Sequence, residues 1–89
     1  MEIEKVLVGH PAVSEAAVAG VADEKWGEVG RAFVVLRAGE NAAEAELLDY
    51  CRAHLARFKV PRSVVFLEAL PKNDAGKINR QALRHWHAG

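Results

Sequence analysis

The chain has 89 residues, no formal net charge, 51% hydrophobic residues and 27% charged ones, which suits one small folded domain and argues against disorder. No apolar run approaches the roughly 20 residues needed to cross a bilayer, and the acidic start Met1-Glu2-Ile3-Glu4-Lys5 lacks the charged-then-apolar order of a signal peptide. A lone cysteine, Cys51, can form no internal disulfide, so a reducing, cytoplasmic setting is expected.

Charge is unevenly distributed. Residues 1–49 carry ten acids against four bases, and residues 50–89 carry eight bases against two acids, giving −6 and +6. Either the second half meets something anionic or the two halves neutralise each other. Both readings stand at this level.

In chain order, Ile3, Val6 and Leu7 recur at helical spacing, and Gly9-His10-Pro11 ends that helix. Val13 to Val21 is a run of small and β-branched residues without a helical polar face, predicting a buried strand. Ala22 to Glu28 is polar and contains glycine, predicting a loop. Val29 to Arg37, centred on Phe33-Val34-Val35-Leu36, is the clearest strand. Two strands joined by a short loop most simply pair antiparallel.

Asn41 and Glu44 then have capping-box spacing. Leu47, Leu48, Cys51 and Leu55 form one stripe of the next helix, with Pro61 as its stop. Val64 to Leu67 predicts a third strand, and Pro71 to Lys77 a turn-rich loop. Asn79 can cap a final helix, with Ile78 and Leu83 as a hydrophobic staple. The expected fold is α+β: a small, mostly antiparallel three-stranded sheet covered by helices, in the order α-β-β-α-β-α, as a single domain over residues 1–89.

The segment Pro71-Lys72-Asn73-Asp74-Ala75-Gly76-Lys77-Ile78-Asn79-Arg80 carries the chemistry. A phosphate-binding P-loop needs glycine five residues before Gly76 and a hydroxyl after the lysine. Pro71 and Ile78 stand there instead, which excludes it. What remains is a lysine on a glycine turn. Gly76 permits backbone angles that a side chain would block, and Lys77 is a compact charge on a long stem, suited to reaching an oxyanion. On the loop alone, a solvated surface lysine is the favoured reading.

Pro71, Gly76, Lys77 and Arg80 resemble the closing signature of the superfamily of acyl-CoA synthetases, peptide-synthetase adenylation domains and luciferases. Glu2-Ile3-Glu4, His10-Pro11-Ala12-Val13, Ala16-Ala17-Val18, Trp26-Gly27-Glu28, Ala32-Phe33-Val34-Val35 and Lys59-Val60-Pro61-Arg62 follow the family's order and spacing, so the resemblance covers nearly the whole chain. It implies a mobile C-terminal domain of an AMP-forming acid–thiol ligase, with a large N-terminal domain that binds ATP and the acid, and a hinge upstream of Met1. The chain is then a fragment and inactive alone.

By the same resemblance, Lys77 is the adenylation lysine, positioned by Pro71, Gly76 and Arg80. After adenylation the domain rotates, withdrawing Lys77 and building a tunnel for CoA. Trp26-Gly27 and Phe58-Lys59 resemble the CoA-facing segments. Val60 stands where some relatives carry a base, leaving Lys59 or Arg62 to contact a phosphate. ATP, Mg2+ and CoA are the cofactors implied for the complete enzyme, and fatty or other hydrophobic acids the substrates.

Other readings are open. Peptide-synthetase adenylation domains commonly carry Met in place of Lys59 and lack the Trp26-Gly27 pair, which favours a CoA ligase. A non-enzymatic nucleic-acid module could use Lys72, Lys77, Arg80 and Arg84 with Trp86. A pI near 6.9 and the lack of a nucleic-acid motif oppose it. His85 and His87 lack further ligands nearby, so no metal site is expected, and Cys51 reads as core.

Overall fold

The computed structural model describes residues 2–86. Strands β1 (Val13–Asp23) and β2 (Gly27–Leu36) form an antiparallel hairpin in which Ala17 faces Phe33 and Gly20 faces Gly30. Successive side chains on a strand point to opposite faces. Ala16, Val18, Ala32 and Val34 therefore join one buried cluster, while Ala17, Ala19, Phe33 and Val35 join another. Both faces are covered, which is why β1 shows no polar side in sequence. A register shift between Val13 and Glu15 brings Val13 onto the same face as Ala16.

Strand β3 (Ser63–Phe66) lies beside β2 and runs parallel to it, from Arg31↔Ser63 to Val34↔Phe66. The sheet order is β1-β2-β3. A parallel neighbour requires a crossover, and helix α2 (Glu44–His54) provides it. The sheet is mixed but mostly antiparallel, with ten antiparallel register pairs against four parallel ones.

Helix α1 (Glu2–Val8) and α2 cover the first face through Leu7, Leu47 and Cys51, each fully buried. The short helix α3 (Arg80–Arg84) covers the second face through Leu83. Asn79 caps α3 as expected, its Oδ1 accepting from the Ala82 N–H at 3.1 Å, and Ile78 packs in the same cluster as Leu83. The observed order is α-β-β-α-β-α.

Four local expectations are corrected. The hairpin turn is tighter than Ala22–Glu28, because Gly27 adopts φ +81° and lets both strands continue to Asp23 and from Gly27. Asn41 does not cap α2. The cap position is Ala43, without a side-chain bond, and Glu44 Oε2 instead accepts from the Val64 N–H at 2.7 Å, satisfying a donor on β3. Pro61 does not end α2, which stops at His54 and gives way to a single 3₁₀ turn over Arg57–Lys59. The third strand is Ser63–Phe66 rather than Val64–Leu67, although the Leu67 N–H still donates to the Val34 carbonyl at 2.9 Å.

The charge asymmetry resolves into contacts across the fold. Lys59 pairs with Glu2, Lys72 with Glu15, Arg80 with Glu4 and Arg84 with Glu28. Each joins a base of the second half to an acid of the first, which is the neutralisation reading.

Candidate functional site: a lysine turn and an aromatic end

The Gly76–Lys77 turn is stabilised largely by its own backbone. Lys72 and Ile78 form an antiparallel bridge, and the Asn73 N–H donates to the Lys77 carbonyl at 2.8 Å. The Gly76 N–H donates back to the Asn73 carbonyl at 2.9 Å. The Asn73 side chain completes the turn, its Oδ1 accepting from Ala75 N–H at 3.0 Å and Lys77 N–H at 3.1 Å. Asn favours such turns because its amide can bond backbone groups a few residues on. Gly76 has φ +79° with open space where a Cβ would stand, so backbone strain rather than crowding selects glycine there.

The Lys77 side chain is exposed and, among the described residues, has no carboxylate partner, whereas neighbouring Lys72 is held by Glu15 at 2.9 Å. Glu15, Lys72, Gly76, Lys77, Ile78 and Arg80 line an open cleft of about 520 Å³. The turn can thus present one free ammonium group outward from a fixed base.

Arg80 lies at the surface but its guanidinium is bonded to the fold. Its Nη1 donates to Glu4 Oε2 at 2.6 Å and to the Val18 carbonyl at 3.1 Å, and its Nη2 donates to Glu4 Oε1 at 3.1 Å. Pro71 contributes its carbonyl, which accepts from the Asn79 N–H at 2.8 Å and closes the base of the loop. Burial pushes the Glu4 carboxyl up. The hydrogen bonds and charge of Arg80, with the Val18 N–H, outweigh burial and hold it below its usual range. The bond to Glu4 in turn raises Arg80. Burial raises the Cys51 thiol, in keeping with a core position.

The other sequence-selected residues lie elsewhere. Trp26 sits at the hairpin tip and is 58% exposed, with Lys25 Nζ 5.1 Å from its ring centroid. Phe58 is 84% exposed in the 3₁₀ turn, with Lys59 Nζ at 5.8 Å. The Arg62 N–H donates to the Gly30 carbonyl at 2.8 Å, so the segment preceding β3 lies toward the Gly27 end of β2, the hairpin-tip end.

The lysine cleft includes Glu15, eight residues before Asp23 along β1, or roughly 26 Å of strand. The strand thus sets Trp26 at the hairpin tip apart from the lysine cleft at Glu15. Lys59, beside Phe58, pairs with Glu2 on the helix whose Glu4 holds Arg80.

Two residues missed in sequence stand at the 3₁₀ turn of Phe58. Arg52 and Arg57, with Leu55 and Val60, line a cleft of about 340 Å³. No motif marks these arginines, and only the arrangement of α2 against the 3₁₀ turn brings them to one opening. Lys59, by contrast, is tied to Glu2 at 2.7 Å, a solvent-exposed pair that a ligand can displace at little cost. Among the described residues no three His, Cys, Asp or Glu side chains converge as metal ligands, and His87 lies outside the described residues.

Known proteins share this architecture. Residues 2–77 match the family model described as "AMP-binding enzyme C-terminal domain". The chain is 53% identical over 83 residues to a methyl-dioxo-octahydro-indenyl propanoyl:CoA ligase of Mycobacterium tuberculosis, covering 93% of this chain and 16% of that protein. It is 47% identical over 87 residues to the long-chain-fatty-acid–CoA ligase FadD13 of the same organism, covering 98% and 17% respectively. The crystal structure of ATP-bound MatB from Rhodopseudomonas palustris superposes with a TM-score of 0.90 at 38% identity, over 94% of this chain and 17% of that one. The chain therefore spans about one sixth of the length of the curated relatives it matches. With the family match running from the first helix to Lys77 itself, and the fold agreeing with solved relatives, this chain belongs to the AMP-binding enzyme C-terminal domain family.

Proposed function

We propose that this domain serves an acyl-CoA synthetase: a larger enzyme that joins a carboxylic acid to AMP and then transfers the acyl group to CoA. Its partner is the large N-terminal domain of that enzyme, and the domain has no activity alone. The observation that carries this reading is the exposed ammonium group of Lys77, without a carboxylate partner among the described residues, on a turn whose base is fixed by Asn73, Pro71 and Arg80. Attack of a carboxylate on the α-phosphate brings two anions together. A preorganised cation at the developing charge lowers that barrier, and removing such a contact costs on the order of 10²–10³ in rate.

Trp26 and Phe58 serve the second step. Exposed rings flanked by ammonium groups, near a cleft with two guanidinium groups, suit a thiol carrier with an adenine, an apolar arm and phosphates. Arg57, and Arg52 on leaving its exposed pair with Asp49, then supply the phosphate contact that Val60 cannot. One rotating domain presents one end for adenylation and the other for thioester formation.

The named relatives are CoA ligases, which favours CoA over a peptide-synthetase carrier, and one of them is a long-chain-fatty-acid ligase, which favours a hydrophobic acid. Mg2+ accompanies ATP in the complete enzyme and is assigned no residue of this chain. The nucleic-acid reading loses ground because Lys72, Arg80 and Arg84 each pair with an acid of the fold.

The test uses the complete enzyme containing this domain. Lys77→Ala is expected to lower ATP–pyrophosphate exchange by about 10²–10³ while sparing thioester formation from supplied acyl-adenylate. Undiminished exchange would refute the role of Lys77.

A further inference from the structure

Strand β1 is an edge of the sheet, and an edge leaves backbone donors and acceptors without a neighbouring strand. Val18 pairs across to Ala32, and both its backbone groups are taken by side chains. Its N–H donates to Glu4 Oε2 at 2.7 Å, and its carbonyl accepts from Arg80 Nη1 at 3.1 Å. The same carboxylate and guanidinium bond each other through two contacts. Glu4 comes from α1, which covers one face of the sheet, and Arg80 opens α3, which covers the other. One closed network therefore clasps both helices around the edge of β1. The Glu4 side chain is the more enclosed half, at 14% exposed against 45% for Arg80.

Lys77 lies three residues before Arg80. The other ties of its turn are internal, apart from the exposed Lys72–Glu15 pair and the packing of Ile78. We propose that Glu4 is a positioning residue for adenylation: it fixes Arg80, and through Arg80 the base from which Lys77 is presented. The proposal rests on the role given to Lys77 above. Glu4 touches no reacting atom, so its effect is on geometry. It holds α1 and the lysine turn as one body, so rotation of the domain carries the ammonium group with it instead of leaving it to swing on a loose loop.

The experiment compares Glu4→Gln, Glu4→Asp and Lys77→Ala in the complete enzyme. Misplacing a reacting group by about 1 Å can cost on the order of 10² in rate. Glu4→Gln is expected to lower kcat for ATP–pyrophosphate exchange by roughly 10- to 100-fold, with the KM for ATP and thioester formation from supplied acyl-adenylate unchanged. Glu4→Asp is expected to recover part of the loss, because it keeps the charge.

Unchanged exchange in Glu4→Gln, beside a collapsed Lys77→Ala, would overturn this proposal alone. Unchanged exchange in Lys77→Ala would remove the reading beneath it. Equal loss of both half-reactions in Glu4→Gln, with a lowered melting midpoint or failure to fold, would assign Glu4 a purely structural role and also overturn the proposal. Arg80→Lys gives an independent check. It keeps the charge but not the fork that spans Glu4 and Val18, so it is expected to lower exchange without lowering thioester formation.

Discussion

The two ends of this small sheet are built on opposite plans. At the lysine end, the backbone is tightly bonded and, among the described residues, the Lys77 ammonium group has no carboxylate partner. At the aromatic end, whole side chains stand exposed: Trp26 on a hairpin tip and Phe58 on a 3₁₀ turn. Stabilising a developing charge depends on angstrom-scale placement, so it calls for a rigid base. Holding a long, flexible thiol carrier depends on contact area and charge, which open rings and arginines can provide. The difference matches the two tasks proposed above.

The sharpest way to break the comparison is a crossover in the complete enzyme. Lys77→Ala is expected to cost exchange about 10²–10³. Trp26→Ala is expected to leave exchange intact and to weaken CoA use, read as a rise in the KM for CoA in the thioester step. If both variants impair the same half-reaction, the two-ended reading is wrong.

Packing gives the next effect. Leu83 is buried beneath α3 in the cluster with Phe33, and Leu83→Ala is expected to destabilise the domain by about 2–5 kcal/mol. Chemical denaturation checks the size. Hydrogen exchange, where the domain remains folded, is expected to show the largest loss of protection around α3 and the Pro71–Lys77 loop.

The two turns offer a smaller and matched test. Gly76 and Gly27 share a positive φ and have open space at the Cβ position. Gly76→Ala and Gly27→Ala are each expected to cost about 1–2 kcal/mol from backbone strain, measured by thermal melting. Only Gly76→Ala is expected to slow adenylation.

The smallest effect is pH-dependent. Glu4 in the folded state lies below its ordinary value of 4.5. Its stabilisation is thus fully present above that value and disappears as pH falls through the folded one. The melting difference between the unmodified domain and Glu4→Gln is expected to hold steady near neutrality and shrink below about pH 4.5. A difference that grew on acidification would contradict the assigned network.

Much of the fold was legible because local rules and burial agree here. The continuous apolar runs of β1 and β2, the cap at Asn79 and the staple of Ile78 with Leu83 all carry their signal within a few residues. The misread boundaries came from competition at a distance. Glu44 is drawn from helix capping to an orphan donor on β3, and Gly27 tightens a turn that composition alone made long. The Gly76–Lys77 turn was visible as a motif, whereas Arg52 and Arg57 were not, since no spacing rule links a helix side to the turn that follows it.

By itself the sequence determined the element order, the glycine-borne lysine and the family pattern, because each depends on neighbours close along the chain. Only the tertiary structure decided that Trp26 stands at the hairpin tip away from the lysine cleft, that Lys59, Lys72, Arg80 and Arg84 pair with acids of the first half, and that Glu4 clasps Arg80 across 76 positions. Such contacts arise from how the sheet and helices meet in space, and local residue patterns carry no record of distance across a fold.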